Sequence, residues 1–98
     1  MISVQVKKAR GEVLRKIVAD PDFDPVLLGV DGALYPYLSG IDPYGDTVFN
    51  GLQVQRLLGE LNSYKVTCSA SAEFMEELEE LCRMVNPGTH RFLWFIGD

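Results

Sequence analysis

Arg91-Phe92-Leu93-Trp94-Phe95-Ile96 is the segment that most limits the folds open to this chain. After Arg91, five apolar side chains follow one another. The run is aromatic and β-branched, which suits a strand. A strand apolar on both faces is buried on both sides and lies inside a sheet. It therefore needs partner strands.

The N-terminus offers them. Ile2, Val4 and Val6 alternate with Ser3, Gln5 and Lys7, and a period of two marks a half-buried strand. Gly11 supplies the positive φ that a tight turn can require. Glu12 to Val18 reads two ways. As a strand, Leu14 and Val18 face one side and Val13 and Ile17 the other; as a short helix, all four share a face. The β-branched residues and the short glycine connection favour a hairpin.

Asp20-Pro21-Asp22-Phe23-Asp24-Pro25 excludes regular structure, because each proline lacks a donor and biases its predecessor toward extended backbone. Residues 20–40 read as irregular and partly buried, with a short strand or turn of helix at 26–30. A first helix is expected from Thr47, capped by Asp46 or Thr47, with Phe49, Leu52, Leu57, Leu58, Leu61 and Tyr64 on its apolar side. Gly51 and Gly59 weaken it by about 1 kcal/mol each relative to alanine. They signal either a close backbone neighbour or a marginal helix.

A second helix is expected over Ala72–Val85, with Ser71 as its N-cap. Phe74, Leu78, Leu81, Cys82 and Val85 form its apolar stripe. Asn86-Pro87-Gly88 is a strong stop. The expected architecture is α+β: an N-terminal β-hairpin, an irregular middle segment, a two-helix pair and a C-terminal strand completing a small sheet. Ninety-eight residues make one domain, 1–98, which buries roughly 60–70% of its unfolded surface.

Charge bears on partners. The net charge is −5. Residues 1–20 carry five bases against two acids, and residues 21–98 four against twelve. Such a field repels polyanions, so nucleic acid is not an expected partner. No apolar run approaches the roughly 20 residues of a membrane span. With no h-region near Met1, a soluble cytoplasmic protein is expected. Cys68 and Cys82 lack metal spacing and read as reduced thiols.

Catalytic chemistry is sparse. His90 is the only histidine and reads as a surface residue beside the last strand. There is no nucleophile elbow, P-loop or dinucleotide fingerprint. No cofactor is expected, and the chain reads as a non-enzyme.

Two features stand above this background. Asp42-Pro43-Tyr44-Gly45-Asp46 is turn chemistry. Its structural reading is a turn and cap. Its functional reading makes Tyr44, flanked by Asp42 and Asp46, an exposed anchor for a partner. A calcium reading lacks the oxygen count and spacing of a binding loop. The second feature is Glu73, Glu76, Glu77 and Glu80, one stripe at i, i+3, i+4 and i+7. It is either a solvated helix face or a docking patch for a basic protein.

Ile41-Asp42-Pro43-Tyr44-Gly45-Asp46-Thr47-Val48-Phe49-Asn50, with Phe95-Ile96-Gly97-Asp98, resembles a family of small bacterial proteins that share a central IDPYGDT-F-N segment and a terminal FIGD. The resemblance implies a bacterial origin and a short stand-alone gene, and brings no catalytic residue.

The leading expectation is a non-enzymatic acidic binding protein acting by protein–protein contact, in concrete form an immunity-type inhibitor of a bacterial toxin. The alternative is a small carboxylate-based enzyme or metal- or ligand-binding protein using Asp42, Asp46 and Asp98. A homodimer pairing exposed sheet edges is the third reading.

Overall fold

The computed structural model describes residues 2–23 and 32–97. Its elements in chain order are β1 (Ser3–Lys8), β2 (Val13–Val18), a short 3-10 helix (Leu38–Gly40), β3 (Asp46–Phe49), α1 (Gly51–Tyr64), α2 (Ala72–Met84) and β4 (Arg91–Ile96). The four strands form one antiparallel sheet in the order β2-β1-β4-β3. The fold is α+β, with the two helices on one face of the sheet. The expected strand or turn at 26–30 lies outside the described residues.

β4 is hydrogen-bonded on both edges, to β1 and to β3. Its expected burial on both faces is only half right. Leu93 and Phe95 point into the core and are fully buried, while Phe92, Trp94 and Ile96 are half-buried on the side away from the helices. An unbroken apolar run specifies an interior strand but not how many faces are covered.

The hairpin forms as expected, with a correction to its facing. The β1–β2 register shifts between Val6 and Lys7, so Leu14 is skipped in the pairing. An extra residue of this kind bends a strand and breaks its alternation. Leu14 and Ile17 pack toward the core, and Val13 and Val18 are exposed.

The largest correction lies at 46–49. Asp46–Phe49 is a strand, not the first turn of a helix, and neither Asp46 nor Thr47 is its cap. Thr47 and Val48 are β-branched and suit an extended chain. Thr47 pairs with Phe95 and Phe49 with Leu93, filling the open edge of β4. The cap is Asn50. Its side chain accepts from the Gln53 N–H at 3.0 Å, and the Gln53 side chain accepts from the Asn50 N–H at 2.9 Å. This reciprocal pair satisfies two donors at the helix start. The later start turns Leu52 outward and brings Val54 into the core.

α2 matches its expected stripe, with the Ser71 hydroxyl accepting from the Phe74 N–H at 3.1 Å. It ends one residue early, at Met84, and Val85 is its C-cap. The irregular segment is anchored by Glu60 of α1. Its carboxylate accepts from the Tyr37 N–H at 3.1 Å and the Leu38 N–H at 3.0 Å, at the start of the 3-10 helix. Phe23, Leu38 and Ile41 belong to the same core as Phe95, Leu57 and Leu78.

Candidate functional site

The strand register defines two ends of the sheet. Ser3, Val18, Asp46 and Ile96 lie side by side at one end. Lys8 and Arg91 pair at the other. The turn carrying Arg10 and the Asn86–His90 connection adjoin that second end.

The loop Asp42–Thr47 projects from the first end. The Asp42 carboxylate accepts from the Tyr44 N–H at 2.9 Å, and the Asp42 N–H donates to the Thr47 hydroxyl at 2.9 Å. Asx turns of this kind substitute a side chain for a backbone turn. The Gly97 N–H donates to the Gly45 carbonyl at 2.9 Å. A Cβ at Gly97 would overlap the Pro43 carbonyl, and one at Gly45 would stand 2.8 Å from the Asp42 carboxylate. The central segment and the residue after β4 therefore hold each other shut. The structural role covers Asp42, Gly45, Thr47 and Gly97. The Tyr44 backbone shares in this lock, but its side chain has no such duty and the residue is 73% exposed. Asp46 is exposed on the face away from the helices, beside Ile96.

α2 starts at the same end. The Asp20 carboxylate, just beyond β2, accepts from the Ser71 N–H at 3.1 Å and from the Asp22 N–H at 2.9 Å. Hydrogen bonds from Asp22 and then Ser71 hold the Asp20 pKa below its ordinary value, because they favour the charged form. The anchor carries Glu73, Glu76 and Glu77 to this end of the molecule. Glu73 also sits in the first turn of α2, where the helix dipole favours an anion.

The structure thus brings Asp42, Tyr44 and Asp46 to the same end as Glu73, Glu76 and Glu77. The two groups flank opposite edges, β3 and β2, about 14 Å apart at ~4.8 Å per strand spacing. Glu80 departs from this group. It lies farther along α2 and faces Arg15 of β2 at 3.7 Å.

Glu79 stood outside the expected stripe, yet it is 7% exposed. It bridges Lys65 at 3.0 Å and Arg83 at 3.4 Å. It is a structural carboxylate tying the end of α1 to α2. Cys82 next to it is inert: burial, reinforced by the Glu79 carboxylate, pushes its thiol up to about 12.

Sequence reasoning missed the roles of Glu60, Glu79 and Asp20. Only Asp20 carried a local signal, the Asp-Pro-Asp turn chemistry. It also missed that Trp94 lies half-buried on the face away from the helices, with the Lys7 ammonium 4.2 Å from its ring centre. Among the described residues no three His, Cys, Asp or Glu side chains are grouped to hold a metal ion, and no helix is long and apolar enough to cross a membrane.

The chain matches no family model, no curated protein and no solved structure.

Proposed function

We propose that the chain is a binding protein that acts through protein–protein contact, using the acidic end of its sheet against a basic partner. The observation that carries this reading is Tyr44: a large side chain left in solvent by a loop whose other residues are tied down. A rigid aromatic with one polar tip binds at low entropic cost. Asp42 and Asp46 flank it, and Glu73, Glu76 and Glu77 stand across the same end beside the opposite edge of the sheet, with Lys65 next to Glu76; this excess of negative charge orients and speeds encounter with a basic surface. In its concrete form the partner is a bacterial toxin, and binding occludes its basic active site.

Affinity capture from native lysate, with wild-type, Tyr44→Ala and Glu73→Gln/Glu76→Gln/Glu77→Gln proteins immobilised in parallel, tests this. The expected result is a basic protein that is retained by wild type, eluted by salt, and lost with Tyr44→Ala or with Glu73→Gln/Glu76→Gln/Glu77→Gln. Equal retention by all three proteins would overturn it. A neighbouring gene for a large secreted protein supports the toxin form; a metabolic operon removes it.

A further inference from the structure

The end of the sheet opposite Tyr44 carries a cleft of about 270 Å³ between the start of α1 and the Asn86–Phe92 segment. Gly51, Leu52, Pro87, His90, Arg91 and Phe92 line it. It exists because Gly51 lets two backbones meet: a Cβ there would stand 2.7 Å from the Pro87 nitrogen. Leu52 is left 66% exposed at its edge. Its volume is below the ~300–1,000 Å³ of small-molecule sites. At ~30 Å³ per water it equals roughly nine waters, the scale of a large side chain.

The charge around it is the reverse of the Tyr44 end. Arg91 sits on the cleft, with its guanidinium donating to the Met84 carbonyl at 3.1 Å. Lys8 is its strand partner, and Arg10 lies on the adjoining turn. Glu12 is at this end too, paired with Lys8 at 3.5 Å.

We infer that Tyr44 of one copy docks into this cleft of the next, so that the chain associates head to tail. The acid-flanked tyrosine and the base-flanked apolar cleft are complementary in shape and charge and lie at opposite ends of the strands. Such a contact is heterologous: every complex keeps one free tyrosine at one end and one free cleft at the other, and the assembly grows without closing. It rests on the reading of the Tyr44 end as a docking surface, and it places self-association in competition with a foreign partner for the same side chain. The contact is small, so it belongs with the weak encounters below ~1,200 Å², with a dissociation constant of about 0.1–1 mM.

Sedimentation equilibrium of wild type, Leu52→Glu, Tyr44→Ala and their equimolar mixture tests it. Both positions are exposed. A glutamate in the first turn of α1 suits the helix dipole while repelling Asp42 and Asp46. Wild type should rise above the monomer mass as concentration approaches about 1 mM, and return to it at about 1 M salt, where the Debye length is ~3 Å. Each variant alone should stay monomeric. The mixture should rise above the monomer mass and never pass twice it, because it retains one intact tyrosine and one intact cleft. A monomeric wild type overturns the contact, as do variants that associate like wild type or a mixture that grows past the dimer. Capture of the basic partner by Leu52→Glu separates the two readings: it retains the tyrosine, so capture with no self-association overturns only the homotypic contact.

Discussion

Both ends of the sheet are closed by the same device and present opposite surfaces. At one end Gly97 admits the backbone of Pro43 and Tyr44; at the other Gly51 admits that of Asn86 and Pro87. Each closure is a glycine against a proline-containing loop. The first leaves an aromatic ring standing out among carboxylates. The second leaves an apolar hollow beside Arg91. The comparison separates what a loop needs in order to fold from what it presents. Asp42, Gly45 and Gly97 belong to folding; Tyr44 and Leu52 belong to presentation.

The largest effect that would break this comparison is at Gly97. Gly97→Ala forces Cβ into the Pro43 carbonyl and should cost more than the about 1–3 kcal/mol of ordinary overpacking, read as a drop in urea unfolding free energy. Gly51→Ala should also destabilise, by about 1–3 kcal/mol, although alanine is the better helix former by ~1 kcal/mol. A stabilised Gly51→Ala would show that the close approach to Pro87 has no energetic weight. Asn50→Ala removes the cap beside that cleft and should cost about 1 kcal/mol, with exchange of the first α1 amides rising.

A smaller effect sharpens the acidic end. The folded pKa of Asp20 is depressed, so its contribution is present above the unfolded value of 3.8 and is lost as pH falls through the folded value. Stability of the wild type should therefore fall on acidification below about pH 4. Asp20→Asn should be less stable near neutrality and show a flatter acid limb in unfolding midpoints followed against pH. The smallest stability effect belongs to Tyr44→Ala, within about 0.5 kcal/mol of wild type for an exposed side chain.

How much of this could be read beforehand follows from how local each cause is. α2 was legible because stripe, cap and stop lie within one stretch, Ser71 to Gly88. β1 was legible from strict alternation. β3 was not, because Phe49 and Leu52 are three apart and imitate a helical step, while the vacant edge of β4 that recruits Asp46–Phe49 is a property of the assembled sheet. The Asp42–Asp46 motif was legible as a turn, but its lock on Gly97 joins residues about 50 apart. The acidic end was invisible as a unit, since Asp20, Asp42, Asp46 and Glu73 come to one end of the sheet only through strand register and the Asp20–Ser71 bond.

The central claim is that Tyr44 is free of structural duty and is kept for a partner. Titration calorimetry of the captured partner against wild type and Tyr44→Ala, with unfolding midpoints measured on the same samples, tests it most directly. The account predicts at least tenfold weaker binding, about 1.4 kcal/mol, with the unfolding midpoint unchanged. Equal affinity, or a midpoint that falls with the substitution, would contradict it.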